Sequence, residues 1–375
     1  MKIRLLRNLV LLFLMLCVAL PGGLLQPIYE VQAASVKPVA TYTSPQKIKF
    51  VSYSKAWTVA KLKQLSAELL KNVHGEELAY LSEVELSAVN KEGEDGVAHM
   101  NYSWTKGDMS DLVMDKGTKI VLYNANSNTT IESVAATLSH EYGHHFTHYW
   151  LMKKEHKLPS NPKSKWVALR GIKGYPVVFT EDAEEPGYSH FWDAAEIMAD
   201  DYMVMFGSPT GKQAMANSML KEEIGFFQGV ENEQIPSVMA LPKVRSYWLQ
   251  LSGIKDPQPL SFKEPKLTAI TAVTTIDGDI VHKFTYEAGS TNAELAKRLQ
   301  YGVYWSEDAS DESFSIDYTE LVTGKLSIQL DYALPQAKRV IITVYAYDPK
   351  TKQYVYAKRQ AYNLSNLKKP IKLAQ

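Results

Sequence analysis

The stretch Thr130–Met152 reads TIESVAATLSHEYGHHFTHYWLM, and its spacing predicts one long helix. Thr129 followed by Glu132 predicts a capping box at its start. At about 100° per residue, Ile131, Ala135, Leu138, Tyr142 and Tyr149 share one face, with Ser133, Thr137, His140 and His144 opposite. Such a helix is expected to bury its apolar back in a core. Its front, made of small and imidazole side chains, is expected to line a cleft.

Within this helix, His140-Glu141-Tyr142-Gly143-His144 forms an HExxH pattern. Residues four apart lie one turn above each other. Both imidazoles can therefore reach one zinc ion, at roughly 2.0–2.1 Å each. Glu141 leans toward the same cleft and is suited to act as base for an attacking water. Catalytic zinc usually takes three protein ligands, so a third must come from elsewhere. A metzincin would have glycine at position 147 and histidine at position 150; the chain has Thr147 and Trp150, which excludes that family. A second helix is predicted from about His190 to Phe206, ended by Gly207-Ser208-Pro209. It carries Glu196 and Asp200 four residues apart on one face.

This combination resembles the gluzincin zinc metallopeptidases, whose third ligand is a glutamate in a downstream Glu-x-x-x-Asp setting. The resemblance rests on motifs within residues 128–207 and on the strand order before them. It implies an α+β fold: a zincin-like metallopeptidase domain with a mixed sheet and active-site helix, then a helical subdomain. It implies that Glu196 joins His140 and His144 on zinc, and that Asp200 accepts the Nδ1 hydrogen of His140. The 52-residue gap from His144 to Glu196 is nearest that of the anthrax lethal factor and Pro-Pro endopeptidase group. In that group a tyrosine shortly before the glutamate stabilises the transition state. Tyr188, eight residues before Glu196, and His190, six before, are the two candidates here. His145, about 140° round the helix from His140, and His148 read as structural. His74, His99, His156 and His282 read as having no ligand role; the plainer alternative for Glu196 is a solvated helix residue, with Asp193 or Asp201 sharing a polar surface.

Around this centre, residues 46–128 predict the order β-α-β-β-β. The strands fall at Lys47–Val51, Leu78–Val89, Val97–Trp104 and Lys119–Tyr123, and a helix at Lys61–Val73. Residues 153–188 form a long connection. Its Lys/Arg-rich first part and the acidic run at 181–185 read as solvated loop. Further helices are expected near 212–224 and 236–252, and Asp256-Pro257-Gln258-Pro259 reads as a linker. A metallopeptidase domain is thus expected at 46–254. Beyond residue 260 short alternating strands dominate, with a turn at Asp348–Thr351. They predict an all-β sandwich of immunoglobulin or fibronectin type over 262–375. Its tyrosines are expected to pack across strands rather than to stack on sugars.

Lys2, Arg4 and Arg7 precede an unbroken apolar run from Leu9 to Leu20, then Pro21-Gly22-Gly23 and a small-x-small site at Val31-Gln32-Ala33. This reads as a signal peptide over 1–33, too short to span a bilayer, with cleavage before Ala34 and export from the cell. The only cysteine, Cys17, lies inside it, so disulfides and thiolate metal sites are excluded from the remainder. With 41 basic and 41 acidic residues there is no basic excess to indicate nucleic acid. At 45% hydrophobic and 22% charged residues, the composition excludes a disordered chain. Two functions are expected to compete. One is a secreted zinc endopeptidase acting on peptide or protein substrates. The other is an inactive scaffold of the same fold whose C-terminal sandwich binds cell wall or a protein partner. Intact Glu141 favours the first. N-terminal sequencing of the exported protein is expected to begin at Ala34; a start at Met1 would remove the leader reading.

Overall fold

The computed structural model describes residues 37–219, 231–232, 235, 238–257, 259, 262–290, 292–307, 316–319, 321–351 and 353–374. The expected leader (1–33) and positions 220–224 and 236–237 of two expected helices lie outside these residues, as does position 258 of the expected linker. Pro38–Gln375 forms one unit with a mixed α and β content. Among the described residues it holds two apolar cores, one over Ile48–Trp248 and one over Phe262–Leu364.

The first core is built on a five-stranded sheet. β1 (Ala40–Thr43) and β2 (Lys49–Ser52) form an antiparallel pair, and β1 adds a strand ahead of the expected start at residue 46. Thr58 caps α1 (Val59–Leu69), whose Leu62, Leu65 and Leu69 are buried. This helix carries the chain over to β3 (Leu81–Leu86), which pairs parallel with β2, as a crossover connection requires. The strand expected from Leu78 is shorter, because Glu76–Tyr80 forms a 3-10 turn instead. β4 (Gly96–His99) and β5 (Tyr102–Ser103) replace the single strand expected over 97–104. β5 pairs with the short β6 (Val113–Met114), which the sequence pattern did not reveal. β7 (Thr118–Leu122) lies parallel to β3 and antiparallel to β4, giving the order β1-β2-β3-β7-β4. β4 is thus a sheet edge. Tyr123 N–H donates to Asp95 C=O at 2.9 Å. Continuing that antiparallel pattern turns the backbone groups of Gly96 and Ala98 away from β7.

The long helix, α2, spans Ile131–Glu155. Its cap lies one residue later than expected. Thr130 Oγ1 accepts from Ser133 N–H at 3.1 Å, and Ser133 Oγ accepts from Thr130 N–H at 3.2 Å. The expected two-faced helix holds only for its first turns. From Glu141 to Met152 every residue is buried, because the sheet covers one side and later helices cover the rest. One buried anchor is Glu77, in the 3-10 turn. It accepts from Gly75 N–H (2.7 Å), Tyr142 hydroxyl (2.9 Å) and Trp150 indole N–H (3.0 Å). Burial raises its pKa despite these donors.

After α3 (Lys165–Arg170), Asp193 caps α4 (Ala194–Phe206), accepting from Ala195 N–H at 2.6 Å. The helix expected from His190 is split: His190–Trp192 is a separate 3-10 turn. α5 (Pro209–Met219) and α6 (Pro242–Ser252) complete this part among the described residues. Asp201 is not a surface acid, as the plainer alternative would have it. It lies buried against the Arg170 guanidinium (2.9 Å) and the Trp166 indole (3.2 Å), which tie the 153–188 connection to α4. Burial still pushes its carboxyl up to about 6.

The second core draws on strands of two antiparallel sheets. One contains Gln300–Glu307, Val340–Asp348, Gln353–Tyr356 and Gln360–Asn363. The other contains Lys266–Thr274, Ile280–Glu287 and Ser327–Gln329. Phe284 of the second sheet stacks on Trp305 of the first at 6.1 Å. Tyr304, Tyr345 and Tyr356 pack on one another with ring centroids 5.5–6.3 Å apart, so these tyrosines serve packing.

Replacing Arg170 with alanine leaves the Asp201 carboxylate buried without its partner. A loss of roughly 3–5 kcal/mol is expected in urea unfolding; a loss below 1 kcal/mol would show that the pair is dispensable.

Candidate metal centre

Two helices must approach closely for one side chain from each to meet, and Gly143 permits it. A Cβ at Gly143 would lie 2.8 Å from Ala199 C=O and 3.1 Å from the Ala199 Cα. With no Cβ there, α4 packs backbone to backbone against α2, one turn away from Glu196 on α4 and beside His140 and His144 on α2.

The outcome is convergence. His140 Nε2 lies 3.0 Å and His144 Nε2 lies 3.2 Å from Glu196 Oε2. One ligand atom from each of the three residues falls within 4.8 Å of the others. Donors about 2.0–2.1 Å from one tetrahedral cation stand about 3.3 Å apart, so the observed spacings fit. Two imidazoles and one carboxylate suit zinc better than calcium or magnesium, which take oxygen ligands. The three residues expected to ligate are therefore together, and they are suited to hold a divalent metal ion.

Asp200 stands where expected. Its Oδ1 lies 2.9 Å from His140 Nδ1, so that nitrogen donates, and Nε2 would be the ring atom to offer a lone pair to a bound cation. Burial opposes a charge on His140, but the carboxylates of Asp200 and Glu196 outweigh it and hold its pKa well above the usual range. Desolvation of the half-buried Glu196 likewise opposes its charge, yet His144 and His140 hold its carboxyl far below the usual range. Glu141 lies beside this group, buried, within electrostatic reach of His140, His144, Glu196 and His190. Burial raises its pKa, toward the range in which a carboxyl can both take and return a proton.

Of the two residues considered for the oxyanion, His190 has the better placement. Its Nε2 is 3.3 Å from Glu196 Oε2 and its Nδ1 is 2.7 Å from Glu231 Oε2. The hydrogen bond to Glu231 raises its pKa to about 9. Tyr188 stands near the same acids, but its hydroxyl is engaged by Asp193, and burial with these negative neighbours raises its pKa. Glu231 was not anticipated. Its carboxylate orients His190, and its backbone N–H donates to Asp200 Oδ2 at 2.9 Å. No local pattern marks it, because it reaches the site only through tertiary packing.

The remaining imidazoles nearby have other partners. His145 bonds to Glu77 C=O (2.8 Å) and Thr118 hydroxyl (3.2 Å), and burial lowers its pKa to about 4. His148 donates to His144 C=O at 2.7 Å, and burial lowers its pKa to about 3. Both stay neutral near pH 7 and fix the helix in place.

No protein-family model and no curated protein matches the chain.

Gly143→Ala forces the two helices apart at their closest point. A loss of about 1–3 kcal/mol of stability, together with weaker zinc binding by competition with a chromophoric chelator, is expected. Unchanged zinc affinity would show that the close crossing does not set the site.

Proposed function

We propose that this protein is a secreted zinc-dependent endopeptidase of gluzincin type. In this reading residues 46–254 form a zincin-like domain and 262–375 an immunoglobulin-like or fibronectin-like sandwich. The observation that carries it is the meeting of His140, His144 and Glu196 beside a buried Glu141 carboxyl. A site that only held a structural cation would need the three ligands but not a buried acid next to them.

Zinc, when bound, polarises the scissile carbonyl and makes water a stronger nucleophile. The chain supplies the rest. The open edge of β4 pairs with the extended substrate backbone, through the outward groups of Gly96 and Ala98. This lays the scissile bond across the start of β4, against Glu141. Glu141 takes the proton of the attacking water and returns it to the leaving amine. His190, oriented by Glu231, donates from Nε2 to the developing oxyanion. Asp200 holds His140 in the tautomer that leaves Nε2 free for the cation. The mixed sheet, the helices behind α2 and the buried Glu77 hold these groups in register.

Glu141→Gln tests this directly. The variant is expected to retain about one zinc per chain while cleavage of a peptide library falls by roughly 10²–10⁴-fold. Cleavage as fast as the parent's would sink the mechanism. A zinc-loaded parent that cleaves no peptide under several conditions would favour the scaffold reading, with the C-terminal part as the binding region.

A further inference from the structure

We propose that Gly96 is a positioning residue for Glu141: its missing side chain lets the edge strand lie directly on the base, and the strand in turn holds the carboxyl in place. The inference rests on the peptidase reading above.

A Cβ built at Gly96 would lie 2.6 Å from Thr137 Cγ2, 2.9 Å from Glu141 Oε1 and 3.0 Å from Glu141 Cγ. All three distances are far inside ordinary van der Waals contact. Gly96 does not adopt the left-handed backbone region that favours glycine. The position therefore demands space, not conformational freedom.

Neither side of the contact can easily withdraw. Gly96 is the first residue of β4, held in register with Leu122 of β7. The chain entering β4 is clamped by Asn124, itself in the left-handed region at φ 58°. The Asn124 amide donates to Lys91 C=O (3.2 Å), Glu94 C=O (3.4 Å) and Asp95 Oδ1 (3.3 Å), and its Oδ1 accepts from Lys91 N–H (2.8 Å). On the other side, Glu141 belongs to the buried part of α2. The compliant element is then the Glu141 side chain. A methyl at position 96 displaces the carboxyl from the line between the scissile carbonyl and the leaving group. None of the three atoms nearest that Cβ belongs to His140, His144 or Glu196.

The same packing orders the substrate. Gly96 presents its outward backbone groups beside the base, so the peptide bond paired there is the one that Glu141 faces. A larger residue would separate these two roles, binding the peptide while moving the base.

The test uses the zinc-loaded full chain and a peptide found to be cleaved by the parent. Gly96→Ala is expected to keep about one zinc per chain and near-parent KM, while kcat falls roughly 10–100-fold, as misplacement of a reacting group by about 1 Å does. Adding Thr137→Ala removes the closest clash but leaves the two with Glu141, and is expected to leave kcat low. Equal kcat in parent and Gly96→Ala overturns the inference, as does a loss confined to KM, which would assign Gly96 to substrate pairing alone. A kcat that Thr137→Ala restores also overturns it, since the methyl would then act through Thr137 and not on the base. So does a Gly96→Ala chain that fails to fold, since Gly96 would then serve the sheet core. A parent that cleaves no peptide removes the underlying reading instead, and is thereby distinguished from each of these results.

Discussion

Everything at the candidate centre depends on how closely two helices cross. Gly143 and Ala199 meet with no side chain between them, and that contact decides whether Glu196 falls within hydrogen-bonding distance of two imidazoles or several ångströms short. Ligand atoms 3.0 and 3.2 Å apart tolerate little relaxation. A carboxylate held by only two rotatable bonds beyond Cβ cannot make up for a shifted axis. The glycine inside HExxH thus does as much for the centre as the residues that name the motif.

Around that crossing, the polar groups are arranged in successive layers of support. His140 is held by Asp200, Asp200 by the backbone of Glu231, and His190 by the Glu231 carboxylate. Behind the helix, Glu77 and His145 fasten the opposite face. Apart from the exposed His190–Glu231 bond, these are buried or half-buried hydrogen bonds, whose loss leaves unsatisfied groups rather than merely one contact fewer. They turn a long helix into a rigid frame for the groups on it. The same rigidity explains why the edge strand can press against Glu141 without displacing it.

Some of this was legible from residue order alone, and the reason is distance along the chain. His140 and His144 are one helical turn apart, so an amphipathic pattern is enough to pair them. Glu196 and Asp200 share a helix for the same reason. Local signals also located most strands of the mixed sheet within a few residues. Their limits show at Glu77, where a 3-10 turn was read as strand, and at the helix start, where Ser133 rather than Glu132 closes the cap. Both alternatives have similar local propensity, and tertiary hydrogen bonds selected between them. The burial of Asp201 is not legible in the sequence because its partners, Arg170 and Trp166, lie on a connection without periodicity.

The sequence by itself determined the chemistry that two turns of helix can carry: a pair of imidazoles, an acid between them, and a second helix bearing an acidic pair. It also determined the alternating texture of the C-terminal strands. Only the tertiary structure decided that Glu196 meets both histidines, that a ring nitrogen of His190 lies 3.3 Å from Glu196, that Glu231 contacts His190 and Asp200, and that Gly96 lies against Glu141. The physical reason is that side-chain spacing within one helix follows from backbone geometry. The meeting of a strand, two helices and a loop depends instead on packing distances that no local pattern encodes.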